Sequence, residues 1–509
     1  MLSKLYSAAI TGLSAYLIEI EVDIARGLPA VSIVGLPDTA VKESKDRVRT
    51  AIKNSGFPYP SGRITINLAP ADIKKEGPCF DLAIALGILA AQGKVNPERL
   101  QQYIVLGELN LNGEIKPVKG VLPIAIDIKQ MGKSKIILPP ANASEAAIIK
   151  EIEAYPLSTL SQTVHFLNGE VTAHPYKLDI TKIFNQNRRY DIDFSDVRGQ
   201  DAAKRALEVA AAGQHNLLML GPPGSGKTML TKRLPTLLPD LTLKEALETT
   251  KIYSIMGLLQ PEKSLIATRP FRAPHHTISD AGLIGGGSTP KPGEISLAHN
   301  GVLFLDELPE FHRNVLEVLR QPLEDGYITI SRAVRAITYP ARFMIVAAMN
   351  PCPCGYFGSP HRQCHCTPHQ IQRYRAKISG PLLDRIDIHI EVPALRYKQL
   401  ARDQSAEDSA TIKKRIASAH KRQKKRFSGN KINYNSQMNT RQLKKYCPLD
   451  KECEGLLKTA IEELNLSARA YHKIIKVSRT IADLAEEENI KREHLLEAIQ
   501  YRSLDQEIF

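Results

Sequence analysis

The run GPPGSGKT comprises Gly221, Pro222, Pro223, Gly224, Ser225, Gly226, Lys227 and Thr228. It follows an apolar stretch at 216–220 and precedes a helical pattern, the setting that a phosphate-binding loop requires. Glycines let backbone N–H groups close around phosphate oxygens. Lys227 would reach the β and γ phosphates, Thr228 would hold Mg²⁺, and the helix that follows would add the partial positive charge of its N-terminus. ATP with Mg²⁺ is the expected ligand. Further along, GVLFLDEL reads as an apolar strand ending in two acids. Asp306 is expected in the Mg²⁺ shell and Glu307 as the base that takes a proton from the attacking water. A third strand, FMIVAAMN, ends on Asn350, placed to orient that water beside the γ-phosphate.

A second set of reactive side chains follows at once: Cys352 and Cys354, then Cys364 and Cys366. Four thiolates in one loop can complete a tetrahedral Zn²⁺ site, and in a reducing compartment a disulfide is the weaker competitor. The C-x-C spacing is tighter than usual, and His361, His365 and His369 are alternative ligands. Cys447 and Cys453 read as ordinary thiols, because seven cysteines in 509 residues do not make a disulfide scaffold.

These groups need elements to hold them. A chain of this length is expected to form about three domains. Its 43% hydrophobic and 24% charged residues exclude a disordered or fibrous chain. The longest apolar run, FDLAIALGILAAQG, contains Asp81 and is shorter than the roughly 20 residues of a membrane span. The N-terminus lacks a secretory pattern, so the expected location is the cytoplasm.

Residues 1–170 alternate strand and helix patterns, with an Asn-Gly hairpin turn at Asn112 and Gly113. Residues 171–193 are polar and poorly periodic and read as a linker. Residues 194–395 hold the three apolar strands, separated by long segments, which predicts a parallel α/β sheet. Residues 396–509 turn helical, giving a basic helix and a small helical domain.

The formal net charge is +14. Much of it falls in residues 411–445, which hold Lys413, Lys414, Arg415, Lys421, Arg422, Lys424, Lys425, Arg426, Lys431, Arg441, Lys444 and Lys445 and no acidic residue. Such a block attracts polyanions, DNA among them, although a solvated helix face has the same composition.

VRGQ at 197–200, the phosphate loop, LDE, the strand ending at Asn350, GPLLDRID at 380–387 and LSARAYHKIIKVSRTIADL at 466–484 together resemble an AAA+ ATPase of the magnesium-chelatase-like family. The similarity covers nearly the whole chain, including RPFRAPHHTIS, and extends to the competence-type members. It implies that Arg385 is a finger entering the neighbouring subunit's site and Arg469 a second sensor on the helical lid, with residues 197–200 flanking the adenine. An arginine supplied in trans requires a closed ring, and the resemblance implies a homo-hexamer. It further implies helicase or branch-migration activity on recombination intermediates, with recombination proteins as possible partners. Two insertions resemble the channel loops of that branch. One carries Lys291 in a Gly-rich tip, and the other is a hairpin carrying Arg332 and Arg335, all expected to contact DNA phosphates. The adjacent His275 and His276 have no assigned role.

KKEGPCFDLAIALG is similar to the nucleophile region of Lon-type proteases, whose domain is ribosomal S5 domain 2-like. A protease is therefore the main competitor, beside a protein-remodelling ATPase and a chelatase motor. A Ser–Lys dyad needs both members close together. Here Cys79 stands at the nucleophile position and Leu122 at that of the base, with Lys119 out of register, so the domain is expected to be non-catalytic.

Overall fold

The computed structural model describes residues 2–260, 263–287, 290–331, 336–359, 362–394, 407–430, 432–464 and 466–504. The chain forms two compact units, residues 1–187 with 243–267, and residues 188–242 with 268–509.

In the first unit, β1 (Leu2–Thr11) and β2 (Ser14–Ala25) pair antiparallel, and β2 alternates buried with half-buried residues because one face meets the core more closely. β3 (Ala30–Val34) leads into α1 (Thr39–Asn54), whose first turn is capped by the Asp38 side chain accepting from the Val41 N–H. β4 (Arg63–Ala69) precedes α2 (Asp81–Ala91), which is buried along its whole length. That explains its unbroken apolar sequence. Buried Asp81 is matched by Arg47, whose Nε lies 2.9 Å from Oδ2. β5 (Ile104–Val105), α3 (Val121–Gln130), β6 (Lys135–Leu138), β7 (Glu153–Pro156) and α4 (Leu160–Asn168) complete a mixed sheet of order β3-β4-β2-β1-β5-β6-β7. The Asn-Gly turn forms as expected, pairing Glu108 with Lys116 and Leu109 with Ile115.

Two features differ from the sequence expectation. The presumed linker contains α5 (Ile180–Gln186), capped by Asp179. Only Ile180 of this helix is buried, so it leaves no amphipathic signature. The helix Leu243–Met256, expected among the ATPase elements by its place in the chain, packs in the first unit. There Ser254 donates to the buried Glu145 carboxylate, and Ser254 O accepts from the Gly120 N–H at 3.1 Å.

The second unit begins with α6 (Asp201–Gly213), β8 (Leu217–Leu220) and α7 (Lys227–Leu237). β9 (Phe271–Arg272) and β10 (Val302–Leu305) follow, then the antiparallel hairpin of β11 (Tyr327–Ser331) and β12 (Ala336–Pro340). β13 (Met344–Met349) and β14 (Ile388–Glu391) close an all-parallel sheet of order β9-β10-β13-β8-β14. Every residue of β8, β10 and β13 is buried. Each buried Leu or Val contributes about 1.5–3 kcal/mol, which makes the sheet a firm base for the loops at its carboxyl ends. The chain then turns helical with α8 (Ser409–Arg426) and α9 (Ala468–Leu484), the latter burying Ile474, Ile475, Val477 and Ile481. Among the described residues no helix is long and apolar enough to cross a membrane.

Candidate nucleotide site

β8 delivers the chain into the phosphate loop, and α7 begins at Lys227. Gly224 and Gly226 adopt φ of +74° and +91°, a left-handed backbone that explains glycine there. The Lys227 ammonium bends back over the loop, donating to Gly221 O at 2.7 Å and Pro222 O at 2.9 Å. Burial lowers its pKa to about 8, against the opposing pull of Asp306 and Glu307. Asn350, at the end of β13, places Oδ1 3.4 Å from the same nitrogen.

Thr228 Oγ1 donates to Asp306 Oδ2 at 2.8 Å. A hydroxyl beside a carboxylate at a strand end is a hard-oxygen pair suited to Mg²⁺. Glu307, next along the chain, has φ of +53°, and its carboxylate lies 3.3 Å from His276 Nδ1. Sequence reasoning gave His276 no role. Its signal was position, since RPFRAPHHTIS contains β9, the edge strand of the sheet that presents Asp306 and Glu307, and His276 lies four residues beyond it. Gln200, in the stretch expected to flank the adenine, donates from Nε2 to Ser225 O at 3.0 Å and Pro393 O at 2.8 Å.

Thus Lys227, Thr228, Asp306, Glu307 and Asn350 come together around one loop. Arg385 and Arg469 make ion pairs with other carboxylates. Arg385 is bound within the chain, paired with Glu324 and donating to Pro381 O at 2.6 Å. Arg469 is mostly exposed and lies 3.8 Å from Asp384. Beside them is a network that sequence reasoning missed. Lys473 of α9 sits 2.9 Å from Asp387, which also faces His215 at 3.5 Å and accepts from the Asn216 N–H at 3.1 Å. Burial lowers Lys473 to about 8, with Asp387 opposing. Burial alone would push the Asp387 carboxyl up, but Lys473 and His215 hold it well below the usual carboxylate range.

The two insertions of the ATPase unit meet. The Tyr339 hydroxyl of β12 donates to Pro290 O at 2.8 Å, beside the short strand Lys291–Pro292 on which Lys291 is exposed. Arg332 and Arg335, at the hairpin tip, lie outside the described residues. Much of the basic block is satisfied internally. Lys413 pairs with Asp240, Arg415 with Glu208 and Glu407, and Arg426 with Asp483, while Arg422 donates to Glu486 O. Lys414, Lys421, Lys424, Lys425, Arg441, Lys444 and Lys445 remain exposed, and Lys431 lies outside the described residues.

Cys352, Cys354, Cys364 and Cys366 converge, with their sulfurs all within 4.8 Å of one another. Cys447 and Cys453 are buried apart from this group. In the first unit, Cys79 faces Glu76 O at 3.9 Å, and burial pushes its thiol up to about 12. Leu122 is buried, and its N–H donates to Glu145.

Residues 193–400 match the family model of magnesium chelatase, subunit ChlI. Residues 20–142 match subunit ChlI of Mg-chelatase, and residues 406–502 match the ChlI C-terminal model. The chain is 48% identical to the competence protein ComM of Haemophilus influenzae, over 99% of this chain and 98% of that protein. It is 45% identical to the protein YifB of Escherichia coli, over 99% of this chain and 97% of that one. The magnesium-chelatase 38 kDa subunit of Rhodobacter capsulatus is 27% identical over 31% of this chain and 50% of its own length. With three chelatase-type regions in order along its length and a phosphate loop set in a parallel sheet, the chain belongs to the magnesium-chelatase-like family of AAA+ ATPases, in the branch of ComM and YifB.

Proposed function

We propose that the protein is a cytoplasmic, homo-hexameric motor that hydrolyses ATP to move on DNA, as a helicase or branch-migration factor on recombination intermediates. The observation that carries the reading is the contact between the two insertions. Tyr339 ties the hairpin to the loop that bears Lys291, so the two insertions are joined on the ATPase core. Such loops need only charge and reach to track a phosphate backbone. The exposed lysines of residues 414–445 add to the attraction, although the internal pairs of α8 reduce it from what composition suggests.

Thr228 and Asp306 would hold Mg²⁺, which would supply charge neutralisation for the nucleotide's phosphates. Lys227 exchanges its carbonyl partners for phosphate oxygens, Glu307 accepts a proton from the attacking water, and Asn350 orients that water. Arg385, released from Glu324 on ring assembly, reaches the adjacent subunit's γ-phosphate, and Arg469 answers from the lid. A structural Zn²⁺ on Cys352, Cys354, Cys364 and Cys366 completes the cofactor set.

The first unit is an S5 domain 2-like domain that does no proteolysis. A thiol raised to about 12 is not a nucleophile at neutral pH, and buried Leu122 supplies no base. The test is ATP turnover by the full chain with and without single-stranded, duplex and four-way DNA, beside Glu307→Gln. Turnover stimulated most by branched DNA, and binding without turnover in the variant, is the expected result. A monomer in ATP that ignores DNA of every shape at low salt overturns the proposal.

A further inference from the structure

We propose that the four-cysteine knuckle is a metal-dependent strut of the ATP site: Zn²⁺ bound there presses the knuckle backbone onto the phosphate loop, so nucleotide affinity depends on the metal. The inference rests on the zinc reading and goes beyond it.

The sulfur geometry is that of a metal site. With Zn–S bonds of about 2.3 Å, a tetrahedron places its sulfurs about 3.8 Å apart. Cys352 lies 3.7 Å from Cys364 and 3.3 Å from Cys354, and Cys354 lies 3.6 Å from Cys364. Backbone amides are turned toward the sulfurs. The Phe357 N–H donates to Cys352 Sγ at 3.3 Å and the Cys366 N–H to Cys364 Sγ at 3.4 Å, contacts that would stabilise thiolate ligands from behind.

The knuckle is joined to the nucleotide loop in two ways. Along the chain, Cys352 comes two residues after Asn350, whose amide oxygen is 3.4 Å from the Lys227 ammonium. Through space, Gly355 lies against Pro223 of the phosphate loop. A Cβ at Gly355 would sit 2.6 Å from Pro223 Cδ, and the backbone there has φ of +83°, so no other residue fits without displacing one side. Arg375 buttresses the far side, with Nε donating to Pro351 O at 3.3 Å and its guanidinium 5.6 Å from the Phe357 ring. A loop rich in Gly and Pro, held from inside by a metal, is ordered by that metal. Without it, the four sulfurs have nothing to converge on, and Asn350 and Pro223 lose their brace.

The test uses the full-length chain. Zinc released by an organomercurial is measured with a chromogenic chelator, and about one ion per chain is expected for a single tetrahedral site. Binding of a fluorescent, non-hydrolysable ATP analogue is then titrated in Mg²⁺ on the protein as purified, after mercurial stripping and thiol rescue, and after zinc is returned. Affinity is expected to fall on the order of tenfold on stripping and to recover with zinc. Gly355→Ala supplies an arm that leaves all four thiols in place, and it should keep its zinc yet bind the analogue more weakly. Zinc present, with affinity indifferent to its removal and to Gly355→Ala, overturns the strut and leaves the zinc reading standing. A chain that neither contains nor takes up zinc overturns both.

Discussion

His276 Nδ1 lies 3.3 Å from Glu307 Oε2, and both side chains are partly open to solvent. The pair restrains the carboxylate proposed as general base while Glu307 occupies a left-handed backbone position. An exposed pair of this kind is worth about 0.2–1 kcal/mol, so His276→Ala should change ATP turnover by no more than about fivefold and leave nucleotide affinity as it was. Glu307→Gln removes the base itself, and turnover should fall by about 10²–10⁴ with binding retained. Phosphate release and analogue binding on both variants check this. Equal losses in the two would show that His276 does more than restrain.

The lowered pKa of Lys227 sets a pH dependence. Burial holds the ammonium at about 8 against an ordinary lysine's 10.5, so the empty site loses this charge as pH rises through 8. Affinity for ATP should therefore decline above about pH 8, by at most tenfold per pH unit from this one group. The sign for stability is the reverse. Between about 8 and 10.5 the unfolded chain keeps a proton that the folded site has released, so Lys227 makes the free protein more stable as pH rises in that window. Analogue binding from pH 7 to 9.5 in wild type and Lys227→Met separates the two, because the variant should show a flatter profile.

The phosphate loop was legible because its chemistry is local: the glycines, Lys227 and Thr228 are adjacent, and a strand and a helix announce themselves on either side. Asp306 and Asn350 were legible because each ends an apolar strand, and strands of a parallel sheet present their carboxyl ends together. Contacts between distant residues were not. Glu324, which holds Arg385, carries no mark of that role in its own neighbourhood. The partners of Lys413, Arg415 and Arg426 lie on other elements, so a run of charge read alone overstates what faces solvent. Helix Leu243–Met256 docks in the first unit through contacts such as Ser254 meeting Glu145, and periodicity cannot say which core a helix joins.

Lys473 and Asp387 form an ion pair at the base of α9, with both groups largely shielded from water. Removing one partner of a buried pair leaves the other charge unmatched, at a cost of about 3–5 kcal/mol. Lys473→Met should lower the denaturation midpoint of the ATPase unit by a corresponding amount, with Asp387→Asn less severe because the amide still accepts from Asn216. Denaturant unfolding of the single and double variants checks this, since a strongly non-additive double identifies the pair as one unit.

Tyr339 tests the link between the two insertions. Burial raises its phenol to about 12, so the hydroxyl stays a donor to Pro290 O over the working pH range. Tyr339→Phe deletes that bond alone, with an expected loss of about 0.5–1.5 kcal/mol. Basal ATP turnover should be unchanged, while stimulation by DNA falls. Lys291→Ala should reduce the salt slope of DNA binding by about one unit, as expected for a single phosphate contact. Stimulation that survives in both variants would separate these loops from the DNA path.

Arg385 supplies the sharpest test of the ring. Paired with Glu324 in its own subunit, it can act in trans only after that ion pair opens, so Glu324→Gln should ease its release and raise turnover at limiting protein concentration. Arg385→Ala should bind nucleotide normally and lose turnover by about 10³ or more, the effect expected of an arginine finger. Alone, Arg385→Ala and Glu307→Gln should each be inactive. Mixed, they can form boundaries at which an intact Glu307 faces an intact Arg385, and activity should return in proportion to such boundaries. Phosphate release across a mixing series measures this. A mixture as inactive as its components would place both residues in the service of the same subunit's site.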